Sequence, residues 1–582
     1  MKSRFHGLLC LFLLAGSAAL AAPPPAAILQ HDEELLTTNS NPGKYGGRIV
    51  VALRAEPKTL NPVTAVDQYS REITGRMNAD LLHINAISEQ SQPALAKSWK
   101  VSKDGLHYIL SLRRGLRFSD GRPMDADDVV FTFDVLLDEK IGSSQRDLLI
   151  IGGKPIAVRK VNASTVAFDL AQPYAAAERL FDSMAILPRH LLEKPYQEGK
   201  LAQMWTLATA PSEIAGMGPF RFKEYVPGQR LVLERNPYYW KADRNHQRLP
   251  YLDEIVFLFV PSEDAQVVRF EAGDTDVINR LSADNYAVLQ KDAAARKLAM
   301  FDVGPGLEYD FLFFNLNSKV PSDAPDVQRH QQWFRDENFR RAVSAAIDRA
   351  AIVRLVFHGR GTALWSTVTP ANKLWLDPAI PQAPQSFDRA KSLLKDAGFR
   401  WNDAGDLLDK NGTPVEFSLI TSASNAQRSQ MATLIQDDLK HIGIKVQVAP
   451  LEFKSVLDRI FQTHNYDAAI LALGGGDVDP NSQINVWMSN GSSHLWDLGE
   501  SKPATAWEAQ IDQLMGQQLT TLNPKKRKQL YDRVQEISAQ KLPLICLASP
   551  NVLVGAKDNI GNFQPAVLDH PTLWNVEQLY IK

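Results

Sequence analysis

The chain has 582 residues, a 45% share of hydrophobic residues and a formal net charge of -2. This length exceeds one ordinary hydrophobic core and predicts at least two lobes, each stabilised by burial of apolar side chains. Acidic and basic residues are interspersed and nearly balanced in number, which argues against nucleic acid as a partner.

The N-terminus has the pattern of a signal peptide. Lys2 and Arg4 precede an apolar run at 8–14, and small residues fill 15–22. The uncharged stretch is shorter than the roughly 20 apolar residues that span a bilayer, and it ends in a small-residue cleavage pattern. We therefore expect residues 1–21 to be removed on export, leaving a soluble protein.

The two cysteines predict neither a lipid anchor nor a disulfide. Cys10 follows Leu9, whereas a lipidation site requires a small residue there. Removal of the signal leaves Cys546 alone, within an apolar run, where we expect it to be a small buried residue. No later run approaches about 18 uncharged apolar residues, so the sequence predicts no further membrane span.

The first elements follow in chain order. Residues 22–42 are Pro/Ala-rich and then polar, which predicts an extended leader, and we expect folding to start near Gly43. A strand is predicted over 47–53, and the alternation of His107–Leu112 predicts another. Asp125 is expected to open a helix as its N-cap, because apolar residues recur after it at helical spacing.

The second half has clearer periodicity. The pattern predicts one long amphipathic helix over 336–357, ended by Gly359, and then a shorter helix with Asp388 as N-cap. Alternating apolar residues at 415–419 and 444–448 flank a helical pattern, which predicts a βαβ unit. Its strands should be parallel neighbours, and loops at the carboxyl ends of such strands usually carry ligand groups.

Several segments resemble one family along nearly the whole chain, roughly from residue 43 to 582. They are GLRFSDGRPMDADDV at 115–129, GMGPF at 216–220, RNPYYW at 235–240, EAGDTDV at 271–277 and FRRAVSAAIDR at 339–349. In order and spacing they are similar to the conserved blocks of the family-5 extracellular solute-binding proteins of ABC transporters. That group includes dipeptide-, oligopeptide- and nickel-binding receptors.

The resemblance implies a two-lobed α/β fold of the periplasmic-binding-protein (Venus flytrap) type, in its large three-region form with mixed β-sheets. It also implies a hinge with crossings near 304–310 and 548–551. The expected divisions after the signal peptide are a leader (22–42), lobe I core (43–85, 213–305 and 548–582), a lobe I subdomain (86–212) and lobe II (306–547).

The best ligand candidate is the loop GGGDVDP at 474–480. Its glycines let the backbone approach a ligand, and Gly475, Gly476 and Asp477 are the predicted contacts. In peptide-binding relatives, the resemblance implies, an aspartate of this loop pairs with the peptide α-ammonium, a strong charge-assisted contact. Here Gly476 takes the usual position of that aspartate, and Asp477 lies one residue later. The alternative for Asp477 is a residue that caps a turn.

Four further side chains complete the predicted site. Gln68 and Tyr69 lie in a loop that matches a ligand-contacting segment of relatives, and the alternative for Tyr69 is packing against a neighbouring helix. Trp365 and Trp487 lie in turn-rich segments of the second lobe and are candidates to stack on the cargo. The alternative for both tryptophans is core packing.

The sequence motifs do not support the hypothesis that the protein is an enzyme. The chain has no Gly-x-Ser-x-Gly, no His-Glu-x-x-His, no phosphate-binding loop and no paired-cysteine metal site. The 12 histidines are dispersed without metal-ligand spacing, and His494 is expected to be structural. We expect no catalytic residues, no metal and no other cofactor.

Three hypotheses of different classes stay open at this stage. The first is a periplasmic receptor of an ABC importer that captures a small solute, most simply a peptide, and delivers it to membrane permease subunits. Within it, oligosaccharides, opines, metal chelates and antibiotics are alternative cargoes. The second is an exported hydrolase, and the third is an interaction protein that kept the receptor fold. We expect a monomer with no nucleic-acid partner.

Overall fold

The computed structural model describes residues 33–182, 184–474, 477–568 and 570–582. The predicted signal peptide and the first part of the leader lie outside the described residues, as do the candidate contacts Gly475 and Gly476. Within the described residues, no helix is both long and apolar enough to cross a membrane.

A mixed β-sheet runs through the whole molecule. Its strands pair in the spatial order Phe220–Val226, Arg230–Arg235, Glu254–Phe259, Arg48–Leu53, Val277–Ile278, Leu544–Lys557, Tyr309–Phe314, Ala468–Leu473, Glu416–Ser422 and Lys445–Leu451. The strands Leu298–Pro305 and Gly361–Ala363 also pair with Leu544–Lys557. We call the half built on the first five strands the N-terminal lobe and the half built on the last four the C-terminal lobe.

The strand Leu544–Lys557 belongs to both lobes. Its C-terminal part pairs with Leu298–Pro305, with Pro305 opposite Asn551. Its N-terminal part pairs with Tyr309–Phe314, where Asp310 lies opposite Ala548. The two chain crossings between the lobes therefore lie side by side, in the segments where the sequence predicts a hinge.

Each lobe has its own buried core. In the N-terminal lobe one continuous cluster includes Ile49, Phe118 and Leu573, so residues near the C-terminus share a core with the strand Arg48–Leu53. In the C-terminal lobe the sheet is covered on both sides, by a cluster around Phe314 on one side and a cluster around Trp487 on the other. Burial on both sides explains the nearly continuous apolar runs of these central strands.

A subdomain of the N-terminal lobe has a separate antiparallel sheet, with the order Ala96–Val101, His107–Leu112, Thr165–Asp169 and Ala157–Asn162. Smaller strand pairs are Leu36–Thr37 with Lys241–Ala242, Leu82–Ile84 with Ser91–Pro93, Ile150–Ile151 with Lys154–Pro155, Arg400–Trp401 with Leu407–Leu408, and Ile560–Gly561 with Tyr580–Ile581.

The helices of the N-terminal lobe are Gln68–Met77, Ala126–Leu137, Arg189–Gln197, Glu263–Ala272 and Ala283–Lys291. Those of the C-terminal lobe are Pro325–Phe334, Glu337–Ala346, Arg349–Val356, Phe387–Asp396, Ala426–Lys440, Phe453–Asp458, Ile484–Trp487, Ala506–Thr520 and Pro524–Lys541.

Several predicted elements are confirmed. The strand Arg48–Leu53 lies inside the predicted run, and Asp125 caps the helix Ala126–Leu137 through a capping box with Asp128. The predicted βαβ unit is present, since Glu416–Ser422 and Lys445–Leu451 pair in parallel. Cys546 is buried and free, and burial raises the pKa of its thiol to about 12.

Other predictions need correction. The single helix expected over 336–357 is two helices, because the chain turns at Ile347 and Asp348 caps the second one by accepting a hydrogen bond from the Ala351 amide. Ser386, not Asp388, is the N-cap of Phe387–Asp396. A helical apolar pattern continues across such a turn, so periodicity alone did not reveal either start.

The described part of the leader is extended, and it packs against the N-terminal lobe. Leu36–Thr37 pairs with Lys241–Ala242, and the carboxylate of Glu33 is paired with Arg248 in a buried position. Packing therefore begins before Gly43, where the sequence predicted the start of folding.

Candidate functional site

A cleft of about 680 Å³ opens where the two lobes meet. Its volume falls in the range of about 300–1,000 Å³ typical of small-molecule sites. The N-terminal lobe lines it with Arg54, Gln68, Arg71, Glu72, Glu263, 280–283, 552–553, 567–568 and 570–571, and the C-terminal lobe with 306–308, Phe357, Arg360, 424–427, Gly474 and 550–551.

Arginines dominate the wall formed by the N-terminal lobe. Arg54 forms an ion pair of 3.3 Å with Glu263, and Arg280 donates a hydrogen bond of 3.4 Å to the side-chain oxygen of Gln68. Arg71 and Arg280 are exposed, and neither forms an ion pair within the described part of the chain. Two guanidinium groups on this wall are thus available to an anionic group of a ligand.

A buried charge network supports the same wall. Glu72 accepts hydrogen bonds from Arg76, at 3.2 Å, and contacts the Nδ1 atom of His570 at 2.5 Å. Burial acts to raise the pKa of Glu72, but the charges of His570 and Arg76 outweigh it and lower the pKa to about 2. Glu72 is therefore an anion at neutral pH, and it fixes His570 at the edge of the cleft.

The C-terminal lobe lines the cleft with one acidic group, Glu308, which shares Arg428 with the buried Asp310. The guanidinium of Arg428 donates to Asp310 at 2.9 Å and to the exposed Glu308 at 3.4 Å. Burial raises the pKa of Asp310 to about 6, the nearby Glu308 adds to the rise, and Arg428 opposes it. The N-terminal lobe therefore lines the cleft with three arginines, and the C-terminal lobe lines it with Arg360 and a solvent-facing carboxylate, Glu308.

Beside the cleft, four charged side chains connect the lobes, and we call them the interlobe latch: Arg179, Asp477, Asp479 and Arg527. Arg179 of the N-terminal lobe pairs with Asp477 and lies 3.5 Å from a carboxylate oxygen of Asp479. Arg527 forms a two-pronged contact with Asp479 at 2.7 Å for each bond, and both side chains are buried. The latch combines an interlobe pair with a pair inside the C-terminal lobe.

Asp477 has two roles in this structure. Its carboxylate pairs with Arg179, and it also accepts a hydrogen bond of 3.2 Å from the backbone amide of Asp479. Burial raises the pKa of Asp477, while Arg179 lowers it. Asp477 thus caps a turn, the alternative given above, and is engaged by a cation of the protein itself.

The two predicted residues of the first lobe are the first two residues of a helix. The loop expected there ends at Asp67, which caps the helix Gln68–Met77 by accepting from the amides of Tyr69 and Ser70. Gln68 is exposed and lines the cleft, next to Arg280. Tyr69 packs against the core of the N-terminal lobe, in agreement with the packing alternative.

The two predicted tryptophans lie away from the lining of the cleft. Trp487 is buried in the core of the C-terminal lobe, 6.0 Å from Trp496 between ring centroids. Trp365 donates to the carbonyl of Ala383 at 3.1 Å, and the guanidinium of Arg349 lies 5.6 Å from its ring centroid. Trp487 is therefore a core residue, and Trp365 packs against its local neighbours.

Sequence reasoning missed most of the charged residues of the cleft. Arg71, Arg280 and Arg360 belong to segments separated by about 80 to 300 positions in the chain and converge only in the folded protein. One signal was available for Glu308, because it lies inside the segment 304–310 that was predicted to cross between the lobes.

The mixed sheet shared by two lobes, with a cleft between them, defines a two-lobed solute-binding protein. A family model described as bacterial extracellular solute-binding proteins, family 5, middle region, matches residues 90–494. The chain belongs to this family, as the motifs predicted, and its function is that of a substrate-binding receptor.

Curated relatives and solved structures agree with this assignment. The chain is 29% identical over 549 residues to a probable ABC transporter-binding protein of Deinococcus radiodurans, with 90% of each chain covered. It is 26% identical over 552 residues to the oligopeptide-binding protein AppA of Bacillus subtilis, with 92% of each covered. The structure of AppA with a nonapeptide matches at a TM-score of 0.69 and 25% identity, covering 93% of this chain and 100% of that one.

Proposed function

We propose that this protein is a periplasmic receptor that captures a short peptide between its lobes and delivers it to the permease subunits of an ABC importer. The observation that carries the proposal is the interlobe cleft, where Arg71 and Arg280 of one lobe lack an ion-pair partner among the described residues and the other lobe contributes the exposed carboxylate of Glu308. Peptides carry a charge of each sign at their two ends, so both walls have a partner in the same ligand. The oligopeptide-binding relative supports this choice of cargo.

In the proposed complex, Arg71 and Arg280 hold the carboxylate of the peptide, and Glu308 holds its ammonium group. Charge-assisted hydrogen bonds of this kind are roughly twice as strong as neutral ones. Gln68, next to Arg280, donates to peptide carbonyl oxygens. Gly474 lines the same cleft, and we keep its neighbours Gly475 and Gly476 in the proposed site as backbone contacts.

Asp477 has a different role in this proposal from the one the sequence suggested. Its partner is Arg179 across the lobes, so we propose that Asp477 stabilises the closed arrangement and that Glu308 takes the ammonium. The lobes would rotate about the two adjacent crossings at 304–310 and 548–551, opening the latch and the cleft together. Trp365 and Trp487 act as packing residues.

The protein in this proposal is a monomer that binds its cargo without a cofactor in the cleft, and it has no catalytic activity and no nucleic-acid partner. The family is one of binding proteins, and energy for transport comes from other subunits. A non-peptide cargo, such as a metal chelate, an oligosaccharide or an opine, is the competing proposal. Among these cargoes a neutral oligosaccharide differs most from a peptide, because it would leave the charged groups of both walls without partners.

The experiment is a thermal-shift and calorimetric screen of protein stripped of bound ligand. Defined peptides of two to nine residues are compared with the same peptides after N-acetylation, after C-terminal amidation, and with sugars and nickel chelates. The proposal predicts a Kd near 1 μM for at least one peptide class, which is about 8 kcal/mol of binding free energy. Blocking either end should weaken binding by about tenfold, the effect of 1.4 kcal/mol. Binding of chelates or sugars alone would overturn the peptide assignment.

A further inference from the structure

A buried cluster of titratable groups lies in the C-terminal lobe, outside the cleft. The segment 488–505 connects the helices Ile484–Trp487 and Ala506–Thr520 and has no helix or strand of its own over 18 residues. Loops longer than about 12–15 residues without secondary structure are uncommon in compact domains and need a specific function or fixation. This loop turns inward at His494.

Three side chains converge there. His494 is fully buried, and the side chains of Glu500 and Glu508 are each 4% exposed. The Nε2 atom of His494 lies 3.8 Å from Oε2 of Glu500 and 3.7 Å from Oε1 of Glu508, and one ligand atom from each of the three lies within 4.8 Å of the others. One imidazole nitrogen and two carboxylates face each other in a space closed to solvent.

The hydrogen bonds around the cluster orient these atoms towards each other. Nδ1 of His494 lies 3.1 Å from the carbonyl oxygen of Val486, which can only accept, so Nδ1 carries a proton and donates it. Nε2 of His494 and Oε2 of Glu500 have no hydrogen-bond partner among the described residues. Distances of 3.7 and 3.8 Å are too long for a hydrogen bond from a protonated Nε2.

Unpartnered buried acceptors that face each other are costly, since each has lost its water and two carboxylates repel. A bound cation removes both costs. We propose that His494 Nε2, Glu500 Oε2 and Glu508 Oε1 bind a divalent transition-metal ion, for which Zn²⁺ is the probe. Nitrogen and carboxylate donors suit such ions, and Zn²⁺ binds them at about 2.0–2.2 Å.

The surroundings have the outer hydrogen bonds that metal ligands need. A ligating histidine usually donates its other nitrogen to a backbone carbonyl or carboxylate, as His494 does to Val486. Glu508 is fixed by Trp496, which donates at 2.9 Å to Oε1, and by the amide of Thr505, which donates at 2.8 Å to Oε2. In tetrahedral geometry ligand atoms are about 3.3 Å apart, so the two distances from Nε2 of His494, 3.8 and 3.7 Å, need to shorten by about half an ångström.

The ion would have a structural role. It would tie the middle of the long loop to the first turn of Ala506–Thr520, where Glu508 also completes the capping box with Thr505. None of the three proposed ligands lines the cleft, so this site is independent of peptide binding.

The test uses the full-length folded protein. Metal content is measured by mass spectrometry of the purified protein, and ZnCl₂ is titrated into EDTA-treated protein by calorimetry and thermal shift. The variants are His494→Gln and Glu500→Gln, which keep the approximate shape of each side chain. The control is His83→Gln, from a more exposed group in which His83 lies near Asp80 and Asp182.

We expect one Zn²⁺ per chain, a raised Tm, and a loss of at least about tenfold in zinc affinity in both variants with no change in the control. Peptide affinity should stay the same in all of them. Failure of the wild-type protein to bind Zn²⁺ would overturn the proposal even if a variant does not fold. Zinc affinity that is equal in the wild type and in folded His494→Gln, or lost in the control, would also overturn it.

Discussion

The interlobe latch and the cleft both contain arginines, but these arginines have different surroundings. In the latch, Arg527 is buried against Asp479, and each of its bonds replaces water that the group has lost. In the cleft, Arg71 and Arg280 are exposed and lack a carboxylate partner among the described residues. A buried arginine with a carboxylate partner maintains the structure, whereas a solvent-exposed arginine without such a partner is available to a ligand.

The largest expected effect comes from breaking the buried half of the latch. Arg527→Met leaves the buried Asp479 with Arg179, at 3.5 Å, as its one cationic partner among the described residues, and it should lower the free energy of unfolding by about 3 kcal/mol. Urea unfolding followed by circular dichroism measures this. The matched control is Arg533→Met on the same helix, whose exposed pair with Glu536 should contribute less than about 1 kcal/mol. Equal losses would contradict the distinction.

A second prediction concerns acid stability of the cleft wall. The pKa of Glu72 is lowered from 4.5 to about 2, so its stabilisation is complete above pH 4.5 and is lost as the pH falls towards 2. Glu72→Gln should destabilise the protein at pH 7 by up to about 3 kcal/mol, and the difference from the wild type should shrink below pH 4.5.

Urea unfolding at pH 7, 5 and 3 checks this dependence. Glu271→Gln, which removes a partly exposed partner of Arg296, is the control and should follow the wild-type curve. A difference between Glu72→Gln and the wild type that stays constant from pH 7 to 3 would show that the charge network does not act as described.

Much of the fold could be predicted from the sequence, because its helices and strands have recognisable local patterns. Apolar alternation marked strands such as Glu416–Ser422, and a capping aspartate marked the helix after Asp125. Periodicity failed at Ile347, where the chain turns without disturbing the apolar pattern. The family motifs identified the fold as a whole.

The site was less predictable for a physical reason. A local pattern shows that Asp477 can reach a ligand or a turn, but not that Arg179, 298 positions away, occupies its carboxylate. Gln68 was found because the family segment carries it, whereas Arg280 stands in a short connection with no distinctive local signal. Convergence of distant charges is decided by tertiary packing, which is absent from any single segment.

The third prediction concerns Arg280, one of the exposed arginines of the cleft. Arg280→Gln should weaken binding of a peptide with a free carboxylate by about tenfold, or 1.4 kcal/mol, while unfolding stays unchanged. Its effect should vanish for the amidated peptide, because the lost partner is then already missing. Arg269→Gln, from an exposed pair with Asp274 outside the cleft, is the control. A loss of equal size for free and amidated peptides would refute this assignment of Arg280.

The smallest expected effect comes from the partly exposed half of the latch. Arg179→Met removes the interlobe pair with Asp477, whose side chain is 36% exposed, and should weaken peptide binding by a few-fold, about 1 kcal/mol or less. Small-angle X-ray scattering should show a larger radius of gyration without ligand than for the wild type. An unchanged radius of gyration together with unchanged peptide affinity would show that the latch does not stabilise the closed arrangement of the lobes.

Recognition of the two charged ends of a peptide is tested by calorimetric titration of ligand-stripped wild-type protein with a defined peptide and with its end-blocked forms. We predict one peptide per chain with a Kd near 1 μM, and a weaker affinity when either terminus is blocked. Equal affinity for free and doubly blocked peptides, or binding only of sugars and chelates, would contradict a receptor that recognises the charged ends of a peptide between its lobes.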